Sequence, residues 1–296
     1  MMQKISIVGV GRLGGALAIS LAKKGYQIEC LVVRKKESAK KIAEFIKPKP
    51  KIVSLRDFSP ASSEIIFITT QDYEIENAAE ALAKKSSNKL FVFHTSGSLS
   101  SEILYKLKQI GCVVGSIHPL VSISEAFLGA ERFRGAFFCV EGEQKAVEIA
   151  KKIIDDLEGN FFSIETKYKT LYHASAVTAS GHFVALIDVA LEMFSKCGVD
   201  KNEARKILLP LIKSTTENLR TQTPAQALTG TFARADVETF EKHLEVLEKN
   251  VSTEALEVFL QLAARSLHLA EEQSASAEKI KEIRKKILLA KKNLKC

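Results

Sequence analysis

The turn Gly9-Val10-Gly11-Arg12-Leu13-Gly14 constrains this chain more than any other feature. It follows the apolar run 4–8 and precedes a helical pattern over 12–24. A strand that feeds a helix through G-x-G-x-x-G has a separate use for each glycine. Gly9 permits a tight turn, Gly11 lets the backbone approach a pyrophosphate, and Gly14 lets the helix pack on the sheet. The helix N-terminus then offers free N–H groups and the positive end of its dipole. Arg12 and Leu13 sit inside the turn and are expected to contact the same ligand. The turn predicts a bound dinucleotide.

Strand and helix patterns alternate beyond it. Apolar, largely β-branched runs predict strands at 27–33, 51–54, 65–69, 90–94, 112–117, 136–141 and 160–164. Helical periodicity occupies 73–85, 99–109 and 143–157. This alternation predicts an α/β fold, a Rossmann-type, mostly parallel sheet with helices on both faces. After residue 166 the strand signals stop. Helical patterns follow at 167–196, 201–220, 224–229, 236–249, 252–272 and 276–293. The reading is an N-terminal dinucleotide domain, 1–166, and an all-α C-terminal domain, 167–296. Asp200 with Glu203 and Thr223 with Gln226 fit capping boxes, Pro224 sits at a first helical position, and Asp236 and Ser252 are further caps.

NAD readers carry an acid near the end of the second strand. Here that strand ends Leu31-Val32-Val33, Arg34-Lys35-Lys36 follows, and Glu29 lies too early. Three cations suit a 2′-phosphate, with Arg34 forking to it, so the expected cofactor is NADP(H). Composition argues against other classes. No apolar run approaches the ~20 residues of a membrane helix, and residues 5–10 are too short and glycine-rich for a secretory signal. The reading is a cytoplasmic protein without a membrane partner. Cys30, Cys112, Cys139, Cys197 and Cys296 are scattered and odd in number, which fits reduced buried thiols and neither disulfides nor a zinc site; no metal is expected. Net charge is +8, and eight basic residues against Glu282 place +7 of it in residues 279–296. Without interleaved aromatics that tail reads as the solvated face of a last helix, not as a nucleic-acid arm.

Ligands of a doubly wound sheet sit outside the carboxyl ends of its strands. Strand 65–69 ends in Thr70-Gln71-Asp72, and Thr70 and Gln71 are expected at the cofactor. Strand 90–94 ends in His94-Thr95-Ser96-Gly97-Ser98, and strand 112–117 in His118-Pro119. Two histidines and several hydroxyls thus reach one edge, where a histidine can give or take a proton near neutral pH. His94 reads as a substrate contact, with a hydrogen-bonded structural histidine as the alternative. Ser98 reads equally as a helix cap.

Five segments together carry a resemblance. They are His94-Thr-Ser-Gly-Ser98, Gly115-Ser-Ile-His-Pro-Leu120, Phe133-Arg-Gly-Ala-Phe137, Tyr172-His-Ala-Ser-Ala176 and Ala227-Leu-Thr-Gly-Thr-Phe-Ala-Arg-Ala-Asp236. The chain resembles the family whose N-terminal part is Rossmann-like and whose C-terminal part is the domain of unknown function 2520, up to about residue 255. That family is similar to the pyrroline-5-carboxylate reductases, β-hydroxyacid dehydrogenases and prephenate dehydrogenases. The likeness implies a helical domain that supplies substrate contacts and a homodimer interface. Prephenate dehydrogenases carry a catalytic strand-end His-Pro, which makes His118 the expected acid/base group. Ser96 matches a serine that steadies it, and His173 heads a family motif and joins them. The chain departs from the pattern at Ser180-Gly181-His182, where many members have Ser-Asn, and at Arg234-Ala235-Asp236, where many have Gly in the middle.

The helix from 167 is apolar almost all round, at Ala174, Val177, Ala179, Phe183, Val184, Leu186 and Ile187. Such a helix is expected to be buried centrally, and its polar residues then need a purpose. His173 and Ser180 are seven apart and share a face, whereas His173 and His182 are nine apart and point oppositely. Ser180, His182, Thr229 and Arg234 are expected to contact a small-molecule substrate, Arg234 as a carboxylate clamp. The leading reading is an NADP-dependent oxidoreductase moving hydride between the nicotinamide and a small carbonyl, imine or hydroxy acid. A non-catalytic dinucleotide-binding sensor or scaffold is the alternative.

Overall fold

The computed structural model describes residues 3–86 and 90–294. The chain divides into two compact units, Met1–Ser180 and Gly181–Cys296. The division falls later than the change of pattern near 166. The first helical turns after it belong with the sheet, because Lys169 and Tyr172 are hydrogen-bonded there.

Eight strands form the sheet of the first unit. They are β1 (Lys4–Val8), β2 (Gln27–Val32), β3 (Lys51–Val53), β4 (Ile65–Ile68), β5 (Phe91–His94), β6 (Val113–Pro119), β7 (Phe137–Gly142) and β8 (Asn160–Phe162). Their order is β3-β2-β1-β4-β5-β6-β7-β8. The first six run parallel, β7 is antiparallel to β6, and β8 is parallel to β7. The α/β expectation holds. Six helices cover the sheet: α1 (Arg12–Lys23), α2 (Glu37–Glu44), α3 (Asp72–Ala83), α4 (Tyr105–Gln109), α5 (Ala126–Ala130) and α6 (Gln144–Asp156). Alternating side chains feed two apolar layers. Ile5, Ile7, Phe67 and Phe93 pack with α1, α2, α5 and α6. Val8, Ile66, Ile68 and Val92 pack with α3 and α4. Strands buried on both faces read as unbroken apolar runs, as Ile65–Ile68 does.

Two expected boundaries shift for visible reasons. The last parallel strand runs on through His118 and Pro119. Its pairing with β5 stops at Ser116, but β7 continues the ladder, matching His118 to Cys139 and Pro119 to Phe138. The helix expected at 99–109 opens as a 3-10 turn, Ser101–Leu104, after Ser100 accepts a hydrogen bond from Glu102 N–H. Cys30, Cys112 and Cys139 are buried free thiols; Cys197 is exposed, and Cys296 lies outside the described residues.

Helix α7 (Lys169–Ser195) begins in the first unit and ends in the second. The second unit continues with α8 (Lys201–Thr221), α9 (Pro224–Ala227), α10 (Gly230–Ala233), α11 (Val237–Asn250), α12 (Thr253–Glu272) and α13 (Ala277–Asn293). Thr223 and Gln226 form the complete capping box, and Asp200, Asp236 and Ser252 accept hydrogen bonds from first-turn N–H groups. Phe240, Leu260, Leu267 and Ile283 centre the core. Ile280, Ile283, Ile287 and Ala290 of α13 face that core, while Arg284 and Lys286 pair outward with Glu271 and Glu241. The expected loop 229–236 contains α10. Ala235 follows it at φ +47° and is fully buried. Glycine takes that left-handed conformation freely, a physical reason for the glycine of the family pattern.

The expectation that α7 is buried centrally is corrected. Among its residues only Lys169 is buried, and Leu171 and Val184 are 68% and 69% exposed. Helix α8 likewise buries Ala204 alone and exposes Ile207, Leu209 and Leu211. An 18-residue window within Thr166–Ser195 has a mean hydropathy of 1.5, so by length and composition this helix could cross a membrane. No unbroken apolar run marks it in the sequence, because histidine, serine and threonine interrupt the apolar residues. Apolar composition fixes that a helix wants cover; it does not fix which chain supplies the cover.

Candidate dinucleotide and proton-transfer site

The chain leaves β1 toward β2 and leaves β4 toward β5, on opposite sides, so a crevice opens at their adjacent carboxyl ends. Gly9 turns the chain out of β1 at φ +97°, and its N–H donates to Val32 O at 2.9 Å. The Thr69 hydroxyl donates to Gly9 O. Gly14 lies against Gly9 O and that hydroxyl, where no Cβ fits. Gly11 differs: among the described residues nothing stands within 4 Å of where its Cβ would be. It is the N-cap of α1, whose first turn holds no acid. Open space, unpaired N–H groups and the positive helix end are what a pyrophosphate needs.

A cleft of about 870 Å³ extends from this turn, within the ~300–1,000 Å³ of small-molecule and cofactor sites. It brings together Gly9, Gly11, Arg34, Lys35, Thr70 and Gln71 of the expected set. It adds Ser38, Ser54, Glu74 and Asn77, which the sequence did not indicate. Thr70 Oγ1 is buried there without a partner. Arg34 is ion-paired with Glu74 of α3. Arg12, Leu13, Gly14 and Lys36 do not line the cleft. Arg12 and Leu13 open α1, Gly14 packs behind the turn, and Lys36 is the N-cap of α2.

A second polar cluster gathers where β5 and β6 end. His118 Nδ1 lies 2.7 Å from the Tyr172 hydroxyl, and its ring meets His173 edge-on at 5.9 Å between centroids. Gly97 makes room for both imidazoles; a Cβ there would stand 2.6 Å from His173 and 2.8 Å from His118. Burial, with help from His173 and Lys169 and against Asp72, pushes the His118 pKa down to about 4. Burial also raises the Tyr172 phenol above its ordinary value. Both groups are therefore uncharged at neutral pH. In one tautomer the Tyr172 O–H donates to Nδ1 and the ring proton sits on Nε2; in the other Nδ1–H donates to the Tyr172 oxygen and Nε2 is free to accept.

Several expected roles change. Ser96 does not steady His118. Its hydroxyl donates to Asp72 Oδ2 at 2.9 Å and accepts from the N–H groups of Ser98 and Leu99. Ser98 also donates to Asp72, at 2.6 Å. The partner of His118 is Tyr172, because β6 continues through His118 and brings it to α7. His94 is fully buried, accepts from Ser96 N–H at Nδ1, and is held neutral by burial, which pushes its pKa down to about 3. It has no surface to offer a substrate, and its Nε2 is buried without a partner. Ser180 is exposed and donates to Ala176 O within its own helix. His182, Thr229 and Arg234 belong to the second unit, so the cluster built within the first does not contain them. Among the described residues no group of three His, Cys, Asp or Glu is placed to hold a metal.

Sequence reasoning missed Lys169. Its Nζ donates to Ser116 Oγ at 2.6 Å and Ser96 O at 3.3 Å and pairs with Glu141 at 3.1 Å. Glu141 also accepts from the N–H and hydroxyl of Ser101. Both charged residues are buried. Desolvation lowers the Lys169 pKa while Glu141 opposes the fall.

A doubly wound sheet with a glycine turn at its switch point defines a dinucleotide-binding fold. Residues 2–119 match the Rossmann-like domain, and residues 136–266 match the domain of unknown function 2520. The chain belongs to the family that joins these two domains. Protein TM1727 from Thermotoga maritima shares 26% identity at a TM-score of 0.71, over 91% of this chain and 99% of that one. A Bacteroides fragilis protein described as a candidate NADP oxidoreductase shares 20% at 0.75, over 90% and 98%. A reductive aminase from Aspergillus terreus, in complex with NADPH and ethyl levulinate, shares 15% at 0.56, over 99% and 95%. Identities of 15% and 20% establish likeness of fold. No functionally curated protein matches the sequence.

Gly14→Ala and Gly11→Ala separate packing from ligand space. Calorimetry should find Gly14→Ala destabilised by roughly 1–3 kcal/mol and Gly11→Ala within about 0.5 kcal/mol of the parent; equal losses would contradict the assignment. The two depressed histidines give an acid window. Unfolded histidine titrates near 6.5, and His94 and His118 titrate at about 3 and about 4 when folded. Below pH 6.5 the unfolded chain binds more protons, so stability falls as pH drops toward 4. The slope is at most about 1.4 kcal/mol per pH unit for each histidine. Urea midpoints at several pH values check this; a flat profile from 6.5 to 4 would exclude it.

Proposed function

We propose that this chain is an NADP(H)-dependent oxidoreductase that moves hydride between the nicotinamide and a small carbonyl, imine or hydroxy acid, with His118 as the acid/base group. One juxtaposition carries the reading. The dinucleotide cleft and the His118–Tyr172–His173 cluster occupy the carboxyl edge of the same sheet. Two strand spacings, about 10 Å, separate β4 from β6, which an extended dinucleotide can span. The fold shared with an NADPH-bound reductive aminase supports the same class.

The nicotinamide, when bound, supplies the hydride chemistry. The turn at Gly11 and the start of α1 would hold the pyrophosphate, and Arg34 and Lys35 a 2′-phosphate. Thr70 has a buried hydroxyl oxygen still to be partnered. Tyr172 fixes the ring of His118 through Nδ1 and leaves Nε2 for substrate. In the oxidising direction the neutral ring, in the tautomer that frees Nε2, takes a proton from a hydroxyl or amine. In the reducing direction it must first be protonated, then delivers that proton to oxygen or nitrogen.

Fluorescence titration should find NADPH bound at least about tenfold tighter than NADH, with Gly11→Ala losing most of that affinity. Turnover is then screened with keto acids, cyclic imines and hydroxy acids. kcat/KM for reduction should rise as pH falls from 8 toward 5, and His118→Ala should cost about 10²-fold or more. Tight NADPH binding, a silent screen and no effect of His118→Ala would leave a binding protein and not an enzyme.

The reading includes a homodimer, because α7 and α8 keep apolar faces uncovered by their own chain. Light scattering should give the mass of two chains, and Val184→Glu with Leu211→Glu the mass of one. A monomeric parent protein would rule the dimer out.

A further inference from the structure

The Lys169–Glu141 pair has no part in the cofactor cleft and no direct part in proton transfer, yet it is buried beside the segments that carry the His118 cluster. Burying two opposite charges is costly, and an apolar pair of similar size is often at least as stable. What distinguishes this pair is what it ties together. The three protons of the Lys169 ammonium have three acceptors: Ser116 Oγ on β6, Ser96 O after β5, and Glu141 on β7. Glu141 in turn holds Ser101, the start of the turn before α4. Five segments meet at one ion pair, α7 included.

Each tie leads to His118. Tyr172 and His173 lie three and four residues after Lys169, on the same helical face one turn along. Anchoring Lys169 therefore sets both beside His118. Holding Ser96 O fixes the peptide next to Gly97, against which both imidazoles pack. Ser116 precedes His118 by two on β6, so they share a sheet face about 7 Å apart. The ammonium bonded to Ser116 thus acts on the imidazole across an interior that screens charge weakly.

We propose that Lys169 and Glu141 are a positioning pair for His118, which aligns Tyr172 and His173 with it and sets its protonation through the balance of their two charges. This rests on His118 being the group that handles the proton. The other titratable groups facing the site are Asp72 from α3, His94 from β5, Cys139 opposite on β7, and Tyr172 and His173 from α7. Lys169 and His173 disfavour the imidazolium and Asp72 favours it.

The test reads the ring directly, by NMR titration of the histidines in the full chain, with His118 assigned by its loss in His118→Gln. Lys169→Met removes a cation and should raise the His118 pKa by about half a unit or more. Glu141→Gln leaves the cation unbalanced and should lower it. Opposite signs are the signature of charge; a pair that only held the structure together would, once broken, let both variants drift toward ordinary histidine. Shifts of the same sign, or no shift, overturn the proposal. If Glu141→Gln does not fold, the double variant Lys169→Met/Glu141→Gln removes both charges and should shift upward by clearly less than Lys169→Met alone; a shift as large as that of Lys169→Met overturns the proposal equally. The readout needs neither cofactor nor turnover. A silent turnover screen would sink the enzyme reading while leaving the titration result to stand or fall alone.

Discussion

The pairing of β1 with β2 on one side and with β4 on the other is the constraint on which the rest depends. It sends consecutive connections in opposite directions and leaves a crevice that helices cannot fill. Everything at the cofactor edge follows from closing that crevice tightly on one side and leaving it open on the other. Gly14, Gly9 and Thr69 make the closed side, in contact with one another. Gly11 faces the open side. Two glycines of one motif thus do opposite things, one by excluding any side chain from a packed contact, the other by leaving room.

The second polar centre uses a different device. A parallel sheet would end β6 level with β5. The antiparallel β7 extends it through His118 and Pro119, which places an imidazole in a hydrogen-bonded ladder instead of on a loose loop. A catalytic group held by a strand is better oriented than one on a loop. Its partners arrive from α7, whose first turn is pinned by a buried charge. The cost of that burial makes sense if the pair specifies position and charge together.

Much of this was legible in the sequence, and the failures have identifiable causes. The strands were legible because β-branched runs such as Ile65–Ile68 leave little choice. The glycine turn was legible because its spacing has a mechanism; of the cations after β2, Arg34 and Lys35 line the cleft and Lys36 does not. His118 came from likeness to a motif, which gave the residue but not its surroundings. Ser96 was assigned by the same likeness to the wrong partner, since which hydroxyl meets which imidazole depends on where β6 stops. Lys169 could not be seen. It stands two residues after an exposed lysine, Lys167, and nothing local distinguishes a buried ammonium from a solvated one. The burial of α7 was misread because a hydrophobic pattern records the need for cover without naming its source. Ala235 shows the opposite case, where a departure from the family's glycine marked a real left-handed backbone position.

We propose that one sheet edge holds both a dinucleotide and the group that exchanges a proton with its substrate. A crystal structure of the protein grown with NADPH tests it most directly. The expected density puts the pyrophosphate against Gly11 at the start of α1, the 2′-phosphate on Arg34, and the nicotinamide ring facing His118. A nicotinamide directed away from His118, or a dinucleotide bound elsewhere, would contradict it.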